Sequence, residues 1–282
     1  MHSRTRAASA LLMALLVMPE VSGAQQTAKP VLHGRHWVAI TGKPLGATAG
    51  AMIFQQGGNA VDAAVTTAFV LAVTLPSAGN IGGGGFLVWH GVEGQVTTFD
   101  FREKAPGSAS AEMFLDENGK LRNRSNHEGA LSTGVPGTVA GLFKAHQKLG
   151  RLPWNSLLEP AVRLARQGFP LTWSLHDDFR RMKNWWKRYP SSAEVFLKPN
   201  GDAYEPGEIW KQPYLATTLQ RIQKEGAKGF YQGETARLIV QFMKDNNGLI
   251  RLNDLSSYRA IERVPVHGTF RGFDIYAMGP PS

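Results

Sequence analysis

The chain has 282 residues, 43% of them apolar, enough for a substantial core and too many for an intrinsically disordered segment. Its 31 glycines and 16 prolines follow no fixed period, which excludes collagen-like and solenoid architectures, and the formal net charge is +9. There is no cysteine, so a disulfide scaffold, a thiol nucleophile, an iron-sulfur cluster and a cysteine-built zinc site are all excluded from it.

Arg4 and Arg6 precede an apolar run from Ala7 to Met18 broken only by Ser9. Pro19 and the small residues Ser22 and Ala24 follow, spaced for cleavage before Gln25. Residues 1–24 thus read as a secretory signal peptide, since the run is short of the ~20 apolar residues that a bilayer requires. Removing them takes away two arginines and one glutamate and lowers the formal charge to +8. An exported protein is expected, periplasmic if bacterial and secreted otherwise. No membrane span is expected later either, because the longest apolar stretch, Ala60 to Leu75, carries Asp62, Thr66 and Thr67 and stops at Pro76.

A polar arm covers residues 25–44. Small apolar residues from Ala47 to Gln56 then predict a helix, stopped by Gly57 and Gly58. Asn59 is placed to cap a second helix through Val61, Ala64, Val65, Ala68, Phe69 and Ala72; it is apolar nearly all round, so it is expected to be buried. Past a glycine cluster, Gly82 to Gly85, the segments Phe86 to His90 and Gln95 to Phe101 read as a hairpin joined through Gly91 and Gly94. Helices follow from Pro136 to Leu149, from a cap at Asn155 to near Gly168 with Pro160 in its first turn or kinking it, and from a cap at Thr172 through Trp186. Two more, Leu215 to Ile222 and Thr235 to Met243, precede a return to strand at Ile261 to Val266 and Phe273 to Met278, around a turn at Gly268. Strand pairs bracketing a helical middle predict a layered α/β or α+β architecture rather than Rossmann alternation.

Several chemistries fail on inspection. The glycine cluster is not G-x-G-x-x-G, because position 87 is Leu, and no glycine-rich loop ends in Gly-Lys-Ser or Gly-Lys-Thr. His127-Glu128 lacks the second histidine of a zinc helix, and neither a G-x-S-x-G elbow nor a Ser-x-x-Lys pair occurs. No metal site is therefore proposed. Arg180, Arg181, Lys183, Lys187 and Arg188 lie among Trp185, Trp186 and Tyr189, a composition that can hold an anionic polymer. Without a nucleic-acid fold motif, packed tryptophans beneath solvated charges are the favoured reading, and no nucleic-acid partner is expected.

Three stretches in succession, Gly57-Gly-Asn-Ala-Val-Asp-Ala-Ala64, Ala78-Gly-Asn-Ile-Gly-Gly-Gly-Gly-Phe86 and Asp100-Phe-Arg-Glu103 followed by Ala105-Pro106, resemble the gamma-glutamyltransferase family. Gly134-Val-Pro-Gly-Thr-Val-Ala-Gly141 and Pro280-Pro-Ser282 match as well, so the resemblance runs from about residue 34 to the end. It implies an α+β N-terminal-nucleophile hydrolase with αββα layering, made as one precursor that cuts itself into a large and a small subunit. Residues 45–282 then correspond to a large-subunit portion, and the sandwich is incomplete. The implied substrates are gamma-glutamyl compounds such as glutathione, with water or an amino acid or peptide as acceptor, no metal or organic cofactor, and the small subunit as partner.

The family's nucleophile is a threonine freed at the start of the small subunit, whose own amine can act as base, and it falls outside this sequence. No catalytic residue is therefore assigned here, and the 282 residues alone are expected to be inactive. Thr66-Thr67 and Thr217-Thr218 lie in predicted helices and Thr97-Thr98 in a strand, none in the family's processing context. Val65, Phe69, Phe86 and Val88 are the apolar residues expected to be left uncovered. Alternatives are a related acylase of the same fold and a non-catalytic exported binding protein.

One site residue is implied. By strand alternation Val96, Thr98, Asp100 and Arg102 share a face, which brings a guanidinium out at the strand end. The family's corresponding arginine holds the alpha-carboxylate of the glutamyl substrate, a task for which a bidentate guanidinium supplies both charge and orientation. Internal pairing of Arg102 with Asp100 or Glu103 is the alternative. The glycine cluster likewise has two readings, close packing of backbone on backbone or a site wall, with packing preferred.

Overall fold

The computed structural model describes residues 33–280. The expected signal peptide and the first part of the polar arm lie outside those residues, as do Pro281 and Ser282. Residues 33–38 hold neither helix nor strand, and a compact unit begins at Ala39.

The first helix, α1 (Pro44–Gln55), starts on a proline whose fixed φ suits a first turn and ends where Gly57 takes φ +86°. It lies on α2 (Ala60–Thr74) through its small residues: a Cβ at Gly46 would stand 3.1 Å from the Leu71 side chain, and one at Gly50 only 2.7 Å from Thr67 Oγ1. Asn59 caps α2 as expected. Its Oδ1 accepts from the Val61 and Asp62 N–H groups at 3.0 Å each, while the Asp62 carboxylate takes the Asn59 N–H. Val61, Val65, Phe69, Val70 and Val73 are all buried, as an all-round apolar helix should be. Two residues expected to be uncovered, Val65 and Phe69, are thus sealed inside instead, because α1, α3 and α4 surround α2 and Phe69 meets the Trp154 ring edge-on.

Strands β1 (Phe86–His90) and β2 (Val96–Asp100) form the expected antiparallel hairpin, with Phe86 opposite Asp100 and Gly94 at φ +87° in the turn. Next in the chain are α3 (Thr138–Leu149) and α4 (Trp154–Gln167). The latter starts on Pro153 and not on Asn155, which falls in the first turn; Pro160 sits inside it. A two-residue strand, β3 (Phe169–Pro170), and α5 (Trp173–Trp186) follow, the latter capped by Thr172 Oγ1 accepting from the Leu175 N–H.

The short helix α6 (Pro190–Phe196), strand β4 (Ile209–Trp210), helices α7 (Pro213–Glu225), α8 (Lys228–Tyr231), α9 (Gly233–Asp245) and α10 (Leu252–Ser257) complete the helical part. Phe169, Phe179, Trp186, Phe196 and Trp210 build an aromatic cluster where α5, α6 and the β3–β4 pair meet. The charges of α5 are held by acids: Arg180 by Asp177, Arg181 by Asp178 and Lys183 by Asp202, while Arg188 lies near Glu128 and over the Trp185 and Tyr189 rings.

Strand β5 (Ile261–Arg263) joins β2 antiparallel, giving the sheet order β1-β2-β5. Pro265, without an N–H, then interrupts the predicted strand, and β6 (Val266–Phe270) and β7 (Phe273–Ala277) form a separate hairpin. Its turn is at Arg271-Gly272, both at positive φ, and Gly268 lies within β6. Val266, Phe270, Phe273 and Ile275 are exposed along this hairpin, as is Val88 on β1. The class is α+β, as expected.

Candidate functional site

The segment that leaves β2, residues 101–104, is held by three unrelated pieces of chain. Phe101 exchanges main-chain hydrogen bonds with Gly85, N to O at 3.1 Å and O from N at 3.3 Å, and Lys104 does the same with Val135 at 3.2 and 2.7 Å. Gly83 in turn offers its carbonyl to the N–H groups of Gly137 and Thr138 at the start of α3, at 2.7 and 3.0 Å. Asn80 Oδ1 accepts from the Gly83 N–H and the Thr138 hydroxyl, 2.8 Å each. The glycine cluster therefore serves contact between backbones. A Cβ at Gly84 would stand 2.6 Å from Phe101 O and 2.9 Å from Arg102 Cα, and one at Gly141 would strike the Phe101 ring at 2.1 Å.

Arg102 stands between the two main-chain ladders and takes part in neither. Its N–H donates to Asp100 Oδ1 at 3.1 Å, and its carbonyl accepts from the Tyr258 hydroxyl at 2.7 Å. Asp100 gives its second oxygen to Arg263 Nε at 2.8 Å, so both of its carboxylate oxygens have a stated task. The Arg102 residue itself is exposed. Strand alternation places Arg102 at the end of β2; the strand stops two residues earlier, at Asp100, and side chains rather than sheet bonds hold the arginine's peptide.

Tyr258 is buried, stacked on Tyr231 with centroids 5.7 Å apart, and Lys104 Nζ lies over its ring. Burial, then the nearby Asp100 and Glu103 carboxylates, push the Tyr258 phenol well above its ordinary range, so it stays a donor to Arg102. Tyr231 donates to Pro136 O at 2.9 Å and accepts from the Ala140 N–H. Neither tyrosine was singled out by sequence reasoning; nothing local to either residue marks a bond to a segment more than 90 residues earlier. A cleft of about 530 Å³ between α3, α8 and α10 shares Tyr258 with this bracing, and Arg102 is not among its lining residues.

The six paired threonines have other employment or none. Thr67, Thr98, Thr217 and Thr218 donate to main-chain carbonyls, Thr97 to Glu262, and Thr66 is sealed in the core without a hydrogen-bond partner. Asp62 is a buried carboxylate, but the N–H groups of Asn59, Arg151 and Leu152 surround it, which makes it a helix anchor. Among the described residues, no group of three or more His, Asp or Glu is placed to hold a metal ion, and no helix is long and apolar enough to cross a membrane.

The fold is shared with solved structures. The chain superimposes on the gamma-glutamyltranspeptidase of Helicobacter pylori with a TM-score of 0.88 and 42% identity, covering 90% of this chain and 72% of that one. With the cephalosporin acylase of Bacillus halodurans the TM-score is 0.76 at 29% identity, over 90% of this chain and 49% of that one. These relatives define the class, an α+β N-terminal-nucleophile hydrolase. The family model described as gamma-glutamyltranspeptidase matches residues 46–282, and the chain belongs to that family. It is also 42% identical over 234 residues to the glutathione hydrolase proenzyme of Escherichia coli (strain K12), a match covering 83% of this chain. It spans 40% of the length of that relative.

Proposed function

We propose that this chain acts as part of an exported gamma-glutamyltransferase, or glutathione hydrolase, in which Arg102 grips the alpha-carboxylate of a gamma-glutamyl substrate. The observation that carries the reading is the mount of Arg102: an exposed arginine whose peptide is clamped on both sides, at the edge of a glycine-lined loop, in a chain of this family. A guanidinium at the end of a rigid segment meets a carboxylate with little loss of freedom and dictates its angle.

The chemistry follows from such a grip. With the alpha-carboxylate fixed, the gamma-carbonyl is presented to a threonine hydroxyl from the portion of the protein beyond this sequence. The hydroxyl oxygen bonds to the carbonyl carbon, its proton passes by way of the threonine's own amine to the departing amine, and a gamma-glutamyl ester remains. Water or the amine of an amino acid or peptide then takes the acyl group and returns the threonine. Arg102 touches no reacting atom, so its contribution is to binding.

The test is the full-length protein, carrying the C-terminal portion present in its relatives, assayed with a gamma-glutamyl anilide and with glutathione. Release of the free aniline and of glutamate is the expected result. Activity on an acyl anilide without the alpha-carboxylate, at the same rate, would favour the acylase reading, for which the likeness to the cephalosporin acylase speaks. A processed protein active on neither would leave the binding-protein reading. Export is tested by N-terminal sequencing of secreted material, with Gln25 as the expected first residue.

A further inference from the structure

We propose that Tyr258 is a positioning residue for substrate binding, acting through the backbone of Arg102; the proposal rests on the assignment of Arg102 to the substrate carboxylate. From Phe101 to Lys104, Phe101 and Lys104 are paired main chain to main chain. Arg102 and Glu103 between them have no such pairing, and at Arg102 side chains stand in, its N–H held by Asp100 and its C=O by Tyr258. A residue whose peptide is fixed by the ladder keeps its direction whatever its neighbours do. The Arg102 peptide is held instead by these two side chains, one on its N–H and one on its carbonyl.

Tyr258 suits that task. Its hydroxyl reaches Arg102 O at 2.7 Å through a gap that only glycine leaves open, because a Cβ at Gly137 would lie 2.2 Å from the hydroxyl and 1.9 Å from Phe101 O. Its ring cannot swing, being stacked on Tyr231 at an interplanar angle of 5° and covered by Lys104. Burial, and then the acidic neighbours Asp100 and Glu103, disfavour the phenolate, so the group remains a hydrogen-bond donor throughout the physiological pH range. The second anchor, Asp100, is tied to Arg263, five residues after Tyr258. The peptide that carries the guanidinium is thus held from Tyr258, directly after α10, and through Asp100 from Arg263, the last residue of β5.

The experiment is a double-mutant cycle of Tyr258→Phe and Arg102→Ala in the full-length, processed protein, with a gamma-glutamyl anilide as substrate. Loss of one hydrogen bond should raise KM about two- to tenfold in Tyr258→Phe, with kcat changed less than about twofold. In the Arg102→Ala background the same change should leave KM where it is. Tyr231→Phe, which removes a buried hydroxyl from the same stacked pair without touching Arg102, should lower thermal stability and leave KM unaltered. An unchanged KM in Tyr258→Phe, with Arg102→Ala strongly impaired, would overturn the role of Tyr258 and leave the reading of Arg102 standing. Equal KM increases in both backgrounds would overturn it too, as a general structural effect. An unchanged KM in Arg102→Ala would remove the assignment on which the proposal depends.

Discussion

Asp100 and Arg263 meet diagonally across the β2–β5 pair, Oδ2 to Nε at 2.8 Å, while Asp100 itself stands opposite Ile261. The aspartate side chain is 9% exposed and the arginine 42%, so the pair is half in water and its worth lies mainly in keeping the buried partner satisfied. The same carboxylate accepts the Arg102 N–H. Asp100→Asn, which retains an acceptor for that N–H, should cost about 1 kcal/mol of stability, and Asp100→Ala about 2–3 kcal/mol. Urea unfolding measures both, and equal losses would show that the carboxylate does not serve two partners.

Replacing the arginine itself tests binding. Arg102→Ala should weaken capture of a gamma-glutamyl substrate by about 2–5 kcal/mol, read as a raised KM with kcat far less affected. Arg102→Lys restores the charge without the fork and should recover only part. Steady-state kinetics on correctly processed protein decide the matter, and wild-type KM in the alanine variant would dismiss the assignment.

Asp62 provides the contrasting case of a buried acid with a purely architectural task. Asp62→Ala strands the N–H groups of Asn59, Arg151 and Leu152, so a stability loss of about 3 kcal/mol or more is expected, with KM unchanged in whatever fraction folds. Thermal melts alongside kinetics separate this outcome from an effect on binding.

The glycines that admit Phe101 and Tyr258 should tolerate no side chain. Gly141→Ala places a methyl group 2.1 Å from the Phe101 ring, and Gly137→Ala places one 2.2 Å from the Tyr258 hydroxyl. Each should lose about 1–3 kcal/mol or more, and Gly137→Ala should in addition raise KM, since it displaces the contact to Arg102. Chemical denaturation and kinetics on the pair give the comparison.

Alkaline pH should unfold the protein through its stacked tyrosines. Burial, reinforced by its Tyr258 neighbour and opposed by the Ala140 N–H, raises Tyr231; burial with Asp100 and Glu103 raises Tyr258. Above the ordinary tyrosine value near 10 the unfolded chain releases these protons while the folded one keeps them, so the folded state binds more protons and stability falls as pH rises. Below that value the contribution is fully present. Tyr231→Phe and Tyr258→Phe should each flatten the decline in unfolding free energy between about pH 10 and 12, and a slope identical to wild type in both would refute the linkage.

Local chemistry announced most of the elements. Asn59 and Thr172 cap their helices because side-chain oxygens two or three residues from the N–H groups they bind leave little choice, and the β1–β2 hairpin follows from alternation around two glycines. Reading failed where a nearby rule yielded to a distant partner. Asn155 looks like a cap, yet Trp154 enters the helix ahead of it, its ring packed on Phe69 and Phe143 and its N–H on Ile222 O. Gly268 looks like a turn, yet the strand interruption at Pro265 shifts the reversal to Arg271-Gly272. Alternation put Arg102 near the end of β2 and the family resemblance alone proposed a role for it, whereas the bonds from Tyr258 to its carbonyl and from Arg263 to Asp100 span more than 150 residues, which no spacing rule encodes.

That distance also has a meaning in time. Arg102 is followed by its partner Tyr258 only after 156 further residues, and Asp100 waits 163 for Arg263. At about 5–20 residues per second of synthesis, the arginine leaves the ribosome roughly 8–30 s before the hydroxyl that fixes its carbonyl exists. Helices α1 to α5 can settle in that interval from short-range contacts, whereas the hydrogen bond to the Arg102 carbonyl must wait for Tyr258.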